Sequence, residues 1–334
     1  MQISGGTFLI TGGASMIGTH TAEELLRGGA HKVLLLDNLS FGTPEEQLAE
    51  ILATGRAELI RGDVLDVDGV KAACAGVDGV FALAGFMSSG IAKTPGLALD
   101  VNIKGVLNLL EGCREHGVRR FILASSSATY GYGTIRGAIQ EDEPLHVHGV
   151  PAPAALYGAS KVIAEQLCHL YRDQHGIDFL ALRFSTVYGE RQHYRSTNAL
   201  YIIDAIDRVT QGLRPILYGD GLQTKDFVYV GDAARASRLA MESDASGEAI
   251  NISGGKPLTT RYLAETVIRL VGATVEPEYR LAPEHGIYIT SDAPFYYDNT
   301  AAARLIAWVP EVDIEKGIQR LIEWRRTAKP VVTP

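Results

Sequence analysis

The sequence predicts an α/β fold, in which a doubly wound parallel sheet is followed by a smaller C-terminal α/β domain. Two observations lead to this prediction. Short apolar runs alternate with longer amphipathic runs over residues 7–184, which is the pattern of strands joined by crossover helices. Residues 33–36 are apolar at every position, as in a parallel strand covered on both faces. Ligands of such sheets bind at the carboxyl ends of the strands.

The first half of the chain supplies the sheet and its helices. We predict strands at residues 7–11, 32–37, 57–61, 79–83, 120–124 and 179–184. We predict helices from about Ile17, over residues 94–116, and over residues 157–175 with Gly176 as the stop signal.

After Arg183 the alternation loosens. We predict a helix at 198–211, a Gly/Asp-rich turn at 218–221, a strand at 226–230, and helices from about Gly231 and Thr260. Proline and glycine become scattered, which indicates a smaller second domain built from insertions.

Composition and charge narrow the class of function. The chain has 334 residues, of which 46% are hydrophobic and 21% charged, so it can bury a large core. The formal net charge of −8 weighs against nucleic acid as a partner. The first residues lack a basic signal segment, and no apolar run approaches the roughly 20 residues of a membrane span. We therefore expect a cytoplasmic protein with no membrane partner.

We expect no metal site. Cys74, Cys113 and Cys168 lack close ligand spacing, and we interpret them as buried thiols in a reducing compartment. His146 and His148 flank a valine but have no nearby cysteine or paired carboxylate, so exposed loop histidines are the better interpretation.

A glycine-rich turn follows the first strand, with the sequence Thr11-Gly12-Gly13-Ala14-Ser15-Met16-Ile17-Gly18. Such a turn lets backbone N–H groups and a helix N-terminus bind a pyrophosphate, as in Rossmann-type folds. Gly12 gives the turn and Gly18 allows close helix packing. Ser15 replaces the middle glycine, and its Cβ should hinder the phosphate. The alternative is an ordinary strand–helix turn.

Asp37 ends the second strand, about 20 residues past the last glycine, where an acid binds the ribose 2′-hydroxyl of a dinucleotide. Residues 38–42 hold no Arg or Lys for a 2′-phosphate, which favours NAD over NADP. Asp37 could instead be a helix cap or turn residue. The cofactor would also lie against residues that follow these strands, namely Asn38, Asp63, Val64, Leu83 and Ala84.

Tyr157 and Lys161 are four residues apart, on one face of a predicted helix. A free tyrosine has a pKa near 10, but the Lys161 cation and a positive nicotinamide would favour the phenolate, which could then remove a hydroxyl proton. Ser126 and Ser127 follow a central strand, where a hydroxyl could hold the substrate oxygen. The alternatives are a chance pair on a solvated helix and a polar loop.

These residues resemble the extended short-chain dehydrogenase/reductases, in particular the NAD-dependent epimerase/dehydratase branch with its nucleotide-sugar epimerases. The resemblance runs over nearly the whole chain. The motifs that carry it are Thr11-Gly12-Gly13 with Ile17-Gly18, Asp37-Asn38-Leu39, Gly62-Asp63, Val101-Asn102-Ile103-Lys104-Gly105, Ser125-Ser126-Ser127, Tyr157-Gly158-Ala159-Ser160-Lys161, Leu182-Arg183-Phe184, Tyr218-Gly219-Asp220-Gly221, Asp226-Phe227-Val228-Tyr229-Val230 and Asn251-Ile252-Ser253-Gly254-Gly255.

The resemblance implies a role for each residue of the site. Tyr157 would be the base, Lys161 would lower the pKa of Tyr157 and bind the nicotinamide ribose, and Asn102 would support the site. The catalytic hydroxyl falls on Ser126, with Ser127 as the second choice. Gly12, Ser15, Met16 and Ile17 would surround the pyrophosphate.

The resemblance also implies an activity, the epimerisation of a nucleotide sugar at C4 through transient hydride transfer to NAD. The related 4,6-dehydratases need an Asp-Glu pair after the catalytic hydroxyl, where this chain has Ser127 and Ala128. Three departures favour an alternative, an NAD-dependent dehydrogenase of a smaller hydroxylated substrate. Thr186 replaces the usual Asn, Lys225 replaces a diphosphate-binding Arg, and a second Arg is missing near residues 291–294. A non-catalytic cofactor-binding protein is a third interpretation.

Three further expectations concern the domains, the substrate and the assembly. We place the NAD-binding domain at residues 1–184 and 225–250, and the substrate-binding domain at 185–224 and 251–330. Arg191, with the nearby His193 and Arg195, could bind an acidic substrate or form surface ion pairs. The family resemblance implies a homodimer through helices at 101–116 and 157–171, whose apolar faces could equally belong to the core of one chain.

Overall fold

The computed structural model describes residues 1–41, 46–131, 137–192, 200–281 and 294–327. Its strands, in chain order, are β1 (Thr7–Thr11), β2 (Lys32–Asp37), β3 (Ala57–Arg61), β4 (Gly79–Ala82), β5 (Arg120–Ser126), β6 (Gly137–Ile139), β7 (Asp178–Phe184), β8 (Thr186–Tyr188), β9 (Ile216–Tyr218), β10 (Thr224–Lys225), β11 (Phe227–Tyr229), β12 (Glu248–Ile252), β13 (Leu258–Thr259), β14 (Glu278–Arg280) and β15 (Phe295–Tyr297). The predicted bounds of the first three strands are confirmed.

Helices connect these strands. In chain order they are α1 (Met16–Arg27), α2 (Glu46–Leu52), α3 (Val67–Cys74), α4 (Ser88–Lys93), α5 (Pro95–Leu99), α6 (Gly105–His116), α7 (Ala152–His175), α8 (Leu200–Thr210), α9 (Val230–Glu242), α10 (Thr260–Val271), α11 (Thr300–Ile306) and α12 (Ile314–Thr327). In the described residues, no helix has both the length and the apolar character needed to cross a bilayer.

Seven strands form one parallel sheet in the order β3-β2-β1-β4-β5-β7-β12. The order reverses between β1 and β4, so a crevice opens at the carboxyl ends of these two strands. Ser126 at the end of β5 is paired in register with Phe184 at the end of β7. The predicted doubly wound parallel sheet is confirmed. The seventh strand, β12, crosses the domain boundary that the sequence places at 250/251, and the division into domains stays a prediction.

Helices cover both faces of the sheet. Alternate residues of a strand point to opposite faces, so Phe121 of β5 contributes to the core under α3, α6 and α7, whereas Ile122 contributes to the core under α1 and α9. Both side chains are fully buried. This arrangement explains why the central strands are apolar at nearly every position.

Two predicted helices differ in detail from those observed. The helix predicted at 157–175 begins at Ala152, because Pro151 and Pro153 supply the fixed φ that suits a first helical turn. Gly176 ends it in the left-handed conformation, as predicted. The helix predicted at 94–116 is divided into α5, a π-helical turn at Asp100–Lys104 and α6.

The smaller part of the molecule is built on short strand pairs beyond the carboxyl end of β7. β8 pairs with β11, β9 with β14, and β10 with β13. The backbone N–H of Thr186 in β8 donates to the carbonyl of Asp226, which directly follows β10. Thr186 and Lys225 therefore lie close to the strand end that carries Ser126.

Candidate active site

The glycine-rich turn between β1 and α1 has no room for side chains at its ends. Gly12 has φ +65°, and a Cβ there would lie 2.9 Å from the backbone nitrogen of Ala84. A Cβ on Gly18 would lie 2.3 Å from the carbonyl oxygen of Gly12. The turn thus brings the start of α1 against the loop that follows β4, at the crevice of the sheet.

Ser15 is the N-cap of α1. Its Oγ accepts a hydrogen bond from the backbone N–H of Gly18 at 3.1 Å. The side chain is therefore folded onto the end of its own helix. In the part of the chain that the structure describes, the N–H groups of Met16 and Ile17 have no protein acceptor. These two N–H groups remain available for an anion. The Cβ of Ser15, which should hinder a phosphate, lies beside them.

Asp37 has the position predicted for the ribose-binding acid and also acts as a turn residue. Its Oδ2 accepts from the N–H of Ala14 at 3.0 Å, and its Oδ1 accepts from the N–H of Leu39 at 2.8 Å. Burial raises the pKa of Asp37, and these two hydrogen bonds oppose the rise. Each carboxylate oxygen keeps a second lone pair for a ribose hydroxyl, so both interpretations of Asp37 are compatible.

A cleft of about 630 Å³, open to solvent, runs along this edge of the sheet. Its lining includes most of the residues predicted to bind the cofactor, namely Gly12, Ser15, Asp37, Asn38, Asp63, Val64, Leu83 and Ala84. The Nδ2 of Asn38 donates to Asp63 Oδ2 at 2.9 Å, which joins the loops after β2 and β3. The side chain of Met16 points into the core instead, so only its backbone can serve the cleft.

Two phenylalanines face each other across the cleft. Phe41 follows β2 and is 43% exposed, and Phe86 follows β4. Their ring centroids are 5.3 Å apart, and both rings line the cleft. No sequence motif indicated this contact, because it joins loops from different strands.

The predicted catalytic residues come together where α7 packs over the end of β5. The side chain of Tyr157 lies near that of Ser126, whose Oγ accepts from the N–H of Ala128 at 3.1 Å. The Nζ of Lys161 donates to the carbonyl of Ala124 at 2.8 Å and lies 6.0 Å from the ring centroid of Tyr157. Ser127 is buried in the 3₁₀ turn that begins there.

Burial controls the protonation of both residues of the pair. It raises the pKa of Tyr157, and the nearby Ser126 hydroxyl opposes the rise. It lowers the pKa of Lys161 to about 8, against the attraction of Glu165. The chain's own groups thus leave Tyr157 protonated at neutral pH. The lower pKa expected for Tyr157 stays a prediction for the protein with a positive nicotinamide beside it.

Asn102 joins the cleft to the catalytic helix. It lies in the π-helical turn, where its Oδ1 accepts from the N–H of Phe86 at 2.8 Å. Its Nδ2 donates to the carbonyl of Phe86 at 3.0 Å and to Ser160 Oγ at 3.1 Å. The amide is thereby engaged with the protein on both sides, as expected of a residue that supports the site.

Lys225 and Arg191, both predicted to contact substrate, have different surroundings. Burial lowers the pKa of Lys225. Among the described residues, no carboxylate pairs with its ammonium group. Arg191 forms a partly buried ion pair with Glu23 of α1, and a contact between Arg191 and substrate stays a prediction. The position of the missing arginine near 291–294, and residues His193 and Arg195, lie outside the described residues except for Pro294.

Comparison with known proteins agrees with this geometry. The sequence model of the NAD dependent epimerase/dehydratase family matches residues 8–253. The chain belongs to this family. A putative UDP-glucose 4-epimerase of Methanocaldococcus jannaschii is 31% identical over 321 residues, 95% of this chain and 98% of that protein. A dTDP-glucose 4,6-dehydratase of Actinoplanes sp. is 30% identical over 331 residues, 95% of this chain and 97% of that protein.

A solved structure shows the same fold. The UDP-glucuronic acid 4-epimerase from Bacillus cereus, in complex with UDP-glucuronic acid and NAD, has a TM-score of 0.81 and 27% identity. The match covers 96% of this chain and 99% of that one. Family membership confirms the predicted family, fold class, enzymatic nature and NAD dependence.

The epimerase/dehydratase site of this chain fits NAD by its own geometry. A Cβ on Gly12 or Gly18 would fill the space at the turn, and the free N–H groups of Met16 and Ile17 suit a pyrophosphate. Asp37 suits a ribose diol. Neither Asn38 nor Ser40, the polar side chains beside it in the cleft, carries a positive charge for a 2′-phosphate.

Proposed function

We propose that this protein is a nucleotide-sugar 4-epimerase, with NAD held in the cleft and Tyr157, Ser126 and Lys161 as the catalytic residues. The observation that carries the substrate class is Lys225. Lys225 is partly buried, burial lowers the pKa of its ammonium group, and no described carboxylate neutralises it. A partly desolvated cation without a partner favours a ligand that supplies the opposite charge. A diphosphate would do so.

The position of Lys225 agrees with this role. It precedes Asp226, whose carbonyl accepts from Thr186, and Thr186 follows the strand end that is paired with Ser126. A nucleotide sugar with its diphosphate at Lys225 would therefore extend its sugar toward Tyr157. Lysine meets phosphate as a point charge, whereas the arginine usual at this place binds it bidentately.

The side chains divide the chemistry at C4 between them. Tyr157 takes the proton from the C4 hydroxyl and later returns it, and Ser126 donates a hydrogen bond that holds this oxygen. Lys161 supplies the positive charge that favours the phenolate. Bound NAD would supply a reversible hydride acceptor at C4. Inversion at C4 would therefore leave no net NADH.

The same residues support epimerisation over 4,6-dehydration. A dehydratase needs acids next to the catalytic hydroxyl to drive elimination. Here that place holds Ser127, which is buried, and Ala128, which has no polar side chain. A dTDP-glucose 4,6-dehydratase is among the relatives, but the reaction proposed here ends at the epimer.

We also propose a cytoplasmic homodimer. Leu156, Ile163 and Leu170 of α7 are spaced at seven residues, so they form one apolar stripe, and they are 43%, 44% and 45% exposed. The stripe runs beside α6, whose Glu111 accepts from Tyr171 of α7. An Ile163→Glu variant should elute as a monomer in size-exclusion chromatography. Leu213→Glu, an exposed leucine elsewhere, is the matched control and should not change the elution volume.

The decisive experiment identifies the cofactor and the product. Purified protein is denatured and the released nucleotide is identified; native protein is then incubated with UDP-, dTDP- and GDP-sugars while absorbance at the NADH band and sugar epimers are measured. We expect bound NAD and C4 epimers without net NADH. Net NADH from a smaller hydroxylated substrate, with no turnover of any nucleotide sugar, would replace this proposal by the dehydrogenase alternative.

A further inference from the structure

Three successive turns of α7 contact the end of β5. Tyr157 lies near Ser126, and Lys161 donates to the carbonyl of Ala124. One turn further along, Glu165 accepts from the Oγ of Ser125 at 2.5 Å. Residues four apart lie on one helix face, so Glu165 continues the row of the catalytic pair. Glu165 is only 3% exposed.

Glu165 is held on its other side by β7. Arg183 Nε donates to Glu165 Oε1 at 2.9 Å, and Nη2 donates to Oε2 at 2.7 Å. The bidentate geometry restricts the carboxylate to one orientation. Arg183 Nη1 also donates to the Tyr130 hydroxyl at 3.1 Å and to the Glu141 carbonyl at 2.8 Å. The carboxylate is therefore anchored to β7 while it contacts β5.

We propose that Glu165 is a positioning residue of the catalytic pair: it keeps α7 in register on β5, so that Tyr157 meets Ser126, and it provides the negative charge that faces Lys161. This inference rests on the catalytic roles proposed above for Tyr157 and Lys161. Glu165 does not touch the reacting atoms. It acts through Ser125, the neighbour of Ser126, and through its charge.

The surroundings of Lys161 make this charge important. Lys161 faces Tyr157 and Glu165 on its own helix and the Ala124 carbonyl on β5. Gly85 is next to its Nζ but carries no charge, since a Cβ on Gly85 would lie 3.4 Å from that atom. Glu165 is the negative group that raises the pKa of Lys161 against burial. The cation of Arg183, on β7, lies on the far side of that carboxylate.

The test compares the pH dependence of turnover in Glu165→Gln and in the wild type. Without the carboxylate, Lys161 should lose its proton at lower pH, so the alkaline limb of kcat/KM should move down by about one pH unit. We expect kcat to fall about tenfold, with KM for the sugar nearly unchanged. Ser125→Ala keeps the charge, so it should lower kcat and leave the pH profile in place.

Controls separate this effect from a loss of stability. Asp207→Asn breaks another bidentate pair with an arginine, Arg325, between α8 and α12, and should not shift the profile. If Glu165→Gln does not fold because Arg183 is left unpaired, the double variant Glu165→Gln/Arg183→Met removes both charges, and its alkaline limb should still lie below that of the wild type. A profile that coincides with the wild type in the folded variant overturns the proposal.

The two proposals fail in different ways. If the wild type turns over no nucleotide sugar, the proposed function fails, and the pH dependence of NAD binding replaces turnover as the readout for Lys161. Glu165→Gln should then lose NAD affinity at a pH about one unit lower than the wild type. Equal pH dependence of NAD binding in both proteins would overturn the role of Glu165.

Discussion

Replacing Lys225 by methionine should weaken substrate binding without weakening the fold. Methionine keeps much of the length of the side chain and removes the charge. Loss of one partner from a desolvated charge pair costs at least about 2 kcal/mol, which corresponds to roughly a 30-fold rise in the dissociation constant of UDP. Lys225 has no described partner to lose, so the free enzyme should be at least as stable as the wild type.

The pH dependence of stability tests the lowered pKa of Lys225 independently of substrate binding. Burial lowers the pKa of Lys225 below its ordinary value of 10.5. Between the lowered pKa of Lys225 in the folded protein and the value of 10.5 in the unfolded chain, the unfolded state binds more protons. The free energy of unfolding therefore rises as the pH increases through that range. The Lys225→Met variant should lose this contribution.

Isothermal titration with UDP and with NAD, together with thermal unfolding, measures these effects. NAD affinity should not change, because Lys225 does not line the cleft. Lys225→Arg is the matched control, and it should bind UDP at least as well as the wild type because a guanidinium can bind phosphate bidentately. Unchanged UDP affinity in Lys225→Met would refute the assignment of Lys225 to the diphosphate.

Three further predictions concern the catalytic base and the cleft. Tyr157→Phe should lower turnover 10²- to 10⁴-fold, about the contribution of a general base, while the protein still releases NAD on denaturation; full turnover would contradict the mechanism. Ser15→Gly should bind NAD more tightly and lose a few tenths of a kcal/mol of stability. Ser15→Ala should lose about 1 kcal/mol of stability without binding NAD more tightly. Equal NAD affinity in the two variants would show that the Cβ does not hinder the phosphate. Phe41→Ala should release NAD about 3- to 10-fold faster in stopped-flow exchange, because its contact with Phe86 crosses the cleft, and Leu213→Ala, another exposed apolar side chain, should not.

Much of the central sheet could be predicted from local sequence patterns. The bounds of β1, β2 and β3 follow from short apolar runs that end at a turn residue. Asp37 and the glycine-rich turn were recognisable because their spacing is a local property of one β-α-β unit. Tyr157 and Lys161 were recognisable because helical periodicity places them on one face.

Other features depend on contacts between distant parts of the chain. Strand β12 joins the sheet only by pairing with β7, and the sequence analysis predicted no strand at these residues. Arg191 and Glu23 are 168 residues apart, and no local pattern could decide between an ion pair and a substrate contact. The π-helical turn that directs Asn102 toward Phe86 was hidden within an ordinary helical pattern.

The sequence by itself determined six strands of the central sheet, the glycine-rich turn and the spacing of Tyr157 and Lys161, because each of these depends on backbone periodicity and near neighbours. Only the tertiary structure decided that Ser15 caps its helix, that Lys225 is a partly buried cation without a described partner, and that Glu165 lies between Ser125 and Arg183. Burial and long-range pairing set the charge and orientation of these side chains, and both arise only when the strands and helices pack together.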